Sequence, residues 1–128
     1  LPGWKDSEQA HTGAESILTL WETRKERHPY MFFMGNDFCK LKAPLVWYDI
    51  VHVCDVLSNF LWLRTDRRLM EMTDNIIARR DACFRYTPES TWTAWKDWDF
   101  GQKKSPSRWL TFLILRIMAR MQETIQTS

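Results

Sequence analysis

The stretch Pro44 to Leu63, PLVWYDIVHVCDVLSNFLWL, limits the fold more than any other part of this chain. It is the longest apolar run. Its polar members Asp49, His52, Asp55 and Asn59 recur every three or four residues, so a helix gathers them into one narrow stripe. The rest of its surface is Leu45, Val46, Trp47, Ile50, Val51, Val53, Cys54, Val56, Leu57, Phe60 and Leu61. A helix apolar on most sides must be covered by other elements. The β-branched residues in VWYDIVHV also permit a strand, but period and length favour a central helix. Ser58 and Asn59 are its weakest part, where the chain either bends or continues to Thr65.

The other segments read as helices around it. Asp6 and Gln9 are spaced as a capping box, and His11 to Gly13 then break the turn they start. From Ala14 the stripe Ala14, Ile17, Leu18 and Trp21 predicts a first helix ending near His28 and Pro29, with a basic last turn. Tyr30 to Ala43 is a connection too apolar for free solvent, expected to fold back on the core or to be covered by a partner. Thr65 or Asp66 caps a helix from Asp66 to Phe84, lined by Leu69, Met72, Ile76 and Cys83. Thr87-Pro88 opens a further helix that Gly101 stops, with Trp92, Trp95 and Trp98 close to one face. Ser105 or Ser107 caps the last helix. Trp109, Leu110, Phe112, Leu113, Ile114, Leu115, Ile117, Met118 and Met121 make it apolar on most sides. Its polar strip is Arg108, Arg116, Arg120 and Glu123. The expected fold is all-α: one domain over residues 1–128, a compact bundle of about five helices.

Composition narrows the function classes. Charged residues make up 27% and apolar residues 45% of the chain, as in a globular protein. Eight tryptophans are well above ordinary usage, and four glycines argue against a turn-rich β protein. A net charge of +2 implies neither nucleic acid nor membrane. Three cysteines without framework spacing read as reduced thiols in an intracellular protein. The opening residues show no signal-peptide pattern, and neither apolar run reads as a membrane span.

Three groups of residues are candidates for function. Asp49 and His52 are placed to share a proton as an acid–base pair, beside the plainer reading of a solvated stripe. Cys54 and His52 point to different helix faces, so no metal site is expected. Trp92, Trp95 and Trp98 suit a partner-binding anchor or a stacking platform for bases, with Lys96, Lys103 and Lys104 nearby, or else pack the core. On a helix Arg64, Arg68 and Arg79 come near one side with Arg67 close by, as phosphate contacts require. Glu71, Asp74 and Asp81 dilute that charge toward a mixed, solvated face. The last helix is expected to be a second core helix. Its alternative is an exposed dimer seam or the filler of a partner's groove.

The segments LKAPLVWYDI and RTDRRLMEMTDNI resemble the trihelix (Myb/SANT-like) DNA-binding domains. Trp4, Leu18, Pro44, Leu45, Trp47, Ile50, Arg64, Thr65, Glu71, Asn75 and Ile76 stand at roughly matching places, over about residues 4–85. Val46 is an extra residue before Trp47, Thr73 replaces an aromatic, and Pro29 and a phenylalanine-rich loop intervene. The resemblance implies that the helix Asp66 to Arg80 enters the major groove, with Arg64, Arg67, Arg68 and Arg79 on bases or phosphates, in a nuclear protein. Richness in Trp, Met, Arg and Thr is also similar to small viral accessory proteins.

The expected function is a non-enzymatic interaction or regulatory module with a protein partner or a second copy, no cofactor and no membrane. DNA or RNA binding is the alternative and a small enzyme the second. No phosphate loop, nucleophile elbow or paired metal ligands occur.

Overall fold

The computed structural model describes residues 2–43 and 48–127, and it is all-α. The helices are α1 (Glu8–Glu22), α2 (Asn36–Cys39), α3 (Ile50–Leu57), α4 (Arg67–Ile77) and α5 (Arg108–Thr127). Among the described residues the only β pairing is one isolated bridge, Lys42 to Ser90. α3 packs against α4 and α5, and α4 also packs against α1.

α1 runs through His11, Thr12 and Gly13 without the expected break. Ser7 starts it, its Oγ accepting the Ala10 N–H at 3.2 Å. It stops at Thr23 rather than His28. The stripe lies where its spacing puts it: Ala14, Leu18 and Trp21 are buried and Ile17 is partly so.

The central helix is shorter than its apolar run. Asp49 adopts extended backbone and its Oδ1 accepts the His52 N–H at 2.9 Å, so it caps α3 instead of continuing it. Pro44 to Trp47 lie outside the described residues. The bend at Ser58 and Asn59 is present and leads into a 3-10 turn, Leu61–Leu63. Ile50, Val51, Val53, Cys54 and Leu57 are buried in one core cluster with Leu69, Met72 and Ile76 of α4 and Leu110, Leu113, Ile114 and Ile117 of α5.

The connection before α3 folds back in part. Met34, Phe38, Leu41 and Ala43 are buried, and Phe32 stacks on Tyr48 at 4.4 Å between centroids. Tyr30 and Met31 stay exposed.

Two expected helices are corrected. α4 ends at Ile77 instead of Phe84. Asp81 Oδ1 accepts the N–H groups of Cys83 and Arg85, and Phe84 takes a positive φ of 60°, which no helix tolerates. Cys83 is therefore exposed, not core. Residues 87–101 form no α-helix. Glu89 and Ser90 donate their N–H groups to the Leu41 carbonyl at 2.7 and 3.1 Å, holding that backbone extended. Two 3-10 turns follow, Thr93–Trp95 and Asp99–Gly101. Thr, Trp and Asp are weak helix formers, and this nonlocal pairing outweighs their three-residue spacing.

Candidate functional site

Trp92, Trp95 and Trp98 stand on these turns and face solvent. They are 42%, 36% and 56% exposed, in a run where every residue from 92 to 99 is exposed. Trp95, Trp98 and Phe100 form one cluster. Ring centroids lie 6.1 Å apart for Trp95–Trp98, 5.8 Å for Trp95–Phe100 and 5.5 Å for Trp98–Phe100. The backbone holds them there. The Trp98 N–H donates to the Trp95 carbonyl at 3.0 Å and the Gly101 N–H to the Trp98 carbonyl at 2.9 Å. Gly101 is buried against the Trp95 carbonyl so closely that a Cβ would overlap it. Lys96, Asp97 and Asp99 are exposed on the same turns, so the cluster carries both signs of charge.

The four arginines are brought near α4 but not onto one open face. Arg64 is buried. Its Nε donates to the Ser58 carbonyl at 2.9 Å and its Nη1 to Glu123 Oε2 at 3.4 Å. Arg67 pairs with Glu71 and with Glu22. Arg68 forks onto Glu15, with both contacts at 2.8 Å, and also onto Asp66. These bonds hold the Glu15 and Asp66 carboxyls below the usual carboxylate range and push the Arg68 guanidinium up. Arg79 lies beyond α4, donates to the Cys39 carbonyl and to Asn75 Oδ1, and ion-pairs with Glu89. Each guanidinium thus has an internal carboxylate. Of the motif positions in the resemblance, Pro44, Leu45 and Trp47 lie outside the described residues.

Asp49 and His52 do not share a side-chain proton. The carboxylate is fully buried and bonds the His52 backbone, while His52 is exposed. Burial pushes the Asp49 carboxyl up to about 6. Burial also raises the Cys54 and Cys39 thiols, away from nucleophilic thiolate. Among the described residues no cluster of His, Cys, Asp and Glu could hold a metal ion, and no helix is long and apolar enough to cross a membrane.

Sequence reasoning missed one surface and held a second only as an alternative. A groove of about 430 Å³ runs between α4 and α5, lined by Met70, Thr73, Ile77, Met118 and Met121 with Arg64 at one side. Met70, Ile77, Met118 and Met121 are apolar residues flanking the core stripes of two helices, a signal visible only once the helices are paired. α5 is apolar on two opposite sides. One is core, and the other exposes Trp109, Phe112 and Leu115 by 49%, 53% and 47%.

Comparison with family models, with curated proteins and with solved structures yields no match. The class reached is therefore that of an all-α fold with an exposed aromatic turn.

Proposed function

We propose that this chain is a non-enzymatic interaction module that takes a protein partner on the turn Trp92–Phe100. The observation that carries this reading is the cluster of exposed Trp95 and Trp98 with half-buried Phe100, held by the packing of Gly101 under Trp95. Tryptophan is the residue most enriched where interfaces concentrate their binding energy. A half-exposed indole on a fixed backbone offers large area and loses little conformational freedom on binding. A core role does not account for three rings left in solvent.

Nucleic acid is the competing occupant of the same aromatics and of the α4 arginines. The carboxylate partners of Arg64, Arg67, Arg68 and Arg79 weaken it, because each must be displaced before a phosphate is bound.

Two variants separate the readings: Trp95→Ala with Trp98→Ala, and Arg67→Ala with Arg68→Ala, each checked for folding by circular dichroism. Partner capture by crosslinking should be lost in the tryptophan variant, by at least about 2 kcal/mol for a central anchor, and kept in the arginine variant. Titration with mixed-sequence DNA and RNA at low and moderate salt is the counter-test. Salt-sensitive binding abolished by the arginine variant would replace the protein-partner reading.

A further inference from the structure

Two serines precede α5, and only one has a structural task. Ser107 is the cap: it is buried, and its Oγ accepts the Leu110 N–H at 3.2 Å. Ser105 is exposed. Its N–H donates to Gln102 Oε1 and its carbonyl accepts from Gln102 Nε2, both at 2.9 Å. One side chain therefore holds its backbone. Its hydroxyl has no hydrogen-bond partner among the described residues. The surrounding sequence is KKSPSR. Pro106 follows directly and confines Ser105 to extended backbone. Lys103 and Lys104 precede it, and Arg108 stands three residues on. All three cations are exposed, and none has a carboxylate partner among the described residues. Arg64, Arg67, Arg68, Arg79, Arg116 and Arg120, by contrast, are all ion-paired.

We infer that Ser105 is the phosphoacceptor of a proline-directed serine/threonine kinase. A free hydroxyl on extended, locally tethered backbone is the substrate such a cleft receives. Pro106 brings no N–H that a cleft would have to satisfy. Arg108 supplies the charge on which kinases also discriminate among substrates. In the transfer the bond from Ser105 Oγ to the γ-phosphorus of ATP forms as the bond to the bridging oxygen breaks. ADP leaves, and the hydroxyl proton passes to the base of the kinase. The phosphate carries a charge of about −1.5 to −2 at neutral pH. Lys103, Lys104 and Arg108 compensate it without giving up an ion pair of the fold. The sequence holds one other hydroxyl–proline pair, Thr87-Pro88, which is an internal control. Thr87 is half-buried and Pro88 is buried. The backbone is engaged on both sides, the Tyr86 N–H with Thr111 Oγ1 at 3.0 Å and the Glu89 N–H with the Leu41 carbonyl at 2.7 Å. Ser90 stands where Arg108 stands relative to Ser105. Thr87 is therefore closed to the kinase while the chain is folded.

The test is incubation of the folded full chain with a proline-directed kinase and Mg-ATP, read by intact mass and by fragmentation. One phosphoryl group should enter, at Ser105. Ser105→Ala should take up none, with an unchanged circular dichroism spectrum because its hydroxyl bonds nothing. Pro106→Ala keeps the acceptor and should slow uptake at least about tenfold, as loss of a specificity contact does. Arg108→Ala should slow it as well. No uptake by the folded wild type overturns the inference. So does uptake at Thr87 or Ser107 as fast as at Ser105. An unchanged rate in Pro106→Ala also overturns it, since exposure alone would then select the site. None of these variants touches Trp95 or Trp98, so the inference stands or falls apart from the aromatic turn.

Discussion

Arg68 and Glu15 meet across α1 and α4 in a two-pronged contact, Nη1 to Oε1 and Nη2 to Oε2, both at 2.8 Å. The pair is 53 residues apart in sequence. Arg68 is mostly covered, at 14% side-chain exposure, whereas Glu15 is 62% exposed, so water screens much of the attraction. The geometry is the favourable fork that guanidinium and carboxylate share. Glu15→Gln should therefore cost only about 1 kcal/mol in urea unfolding. It should also lower the affinity of α1 for α4 without changing helix content. A loss of several times that size would mean that the pair organises the fold rather than decorating it.

Asp55 is the more demanding ion pair. It accepts two bonds from Arg116 and one from Arg120, whose Nη1 also donates to the Asp55 carbonyl at 2.9 Å and to Ser58 Oγ at 3.2 Å. These cations close the C-terminal end of α3, where carbonyls lack helical partners. Asp55→Ala leaves two guanidinium groups without a counter-ion at a partly buried joint. The expected cost is roughly 2–3 kcal/mol, below the value for a fully buried pair because Arg116 keeps access to water. A chemical melt of Asp55→Ala beside Arg116→Ala, Arg120→Ala and the combined variants checks it. Pairwise coupling should appear between Asp55 and each arginine.

The local patterns were legible in the sequence, and the pairings that override them were not. Ala14, Leu18 and Trp21, and likewise Leu69, Met72 and Ile76, are buried as a helical period requires, because burial on one face is a short-range rule. Ser107 caps α5 as its residue type suggests. Asp49 fits a polar stripe and a helix cap equally well by type, and only its extended backbone decides. The three-residue spacing of the tryptophans fitted a helix, but Leu41, 48 residues before Glu89, takes that backbone into an extended pairing. The arginines lie near α4 but do not share one open face. Glu71 and Asp66 are local partners, but the other carboxylates come from α1, the segment near residue 89 and the end of α5, which no local window contains. Asp81 was an overlooked local signal, an Asx turn that ends the run after α4, and Ser7, the cap of α1, was another.

Gly101 sets the geometry of the aromatic turn. Its backbone lies under the Trp95 carbonyl with no room for a Cβ, and the atom in the way is backbone, which cannot rotate aside. Gly101→Ala should separate Trp95 from Phe100 and Trp98. The near-ultraviolet circular dichroism of the coupled indoles should change, while the far-ultraviolet spectrum stays close to wild type because both turns are short. If the turn is the partner site, capture should fall as far as in the Trp95→Ala, Trp98→Ala variant. An unchanged aromatic spectrum would show that the backbone accommodates the methyl group by shifting as a unit.

Asp49 gives the fold a pH dependence of unusual sign for a carboxylate. Burial is the largest influence and raises its carboxyl to about 6. The backbone bond from His52 and the charge of Lys42 act against burial without cancelling it. Oδ1 caps α3, and Oδ2 is buried without a hydrogen-bond partner among the described residues. In the unfolded chain an aspartate ionises near 3.9. The folded state therefore binds the proton more tightly, and at neutral pH folding carries a cost of ~3 kcal/mol that vanishes as the group protonates. Stability should rise as pH falls from about 7 toward 5. Glu15 and Asp66 act in the opposite sense. Their carboxyls are held down by Arg68, so what they contribute is present above the ordinary carboxylate range and is lost only in stronger acid. The curve should then pass through a maximum on the acid side of neutrality. Asp49→Asn keeps an oxygen to accept the His52 N–H and removes the charge. It should be more stable than wild type at neutral pH and should flatten the rise between about pH 7 and 5. Urea midpoints at matched ionic strength measure both. A wild-type curve flat across that interval would mean that Oδ2 has a counter-charge or a water that offsets its burial.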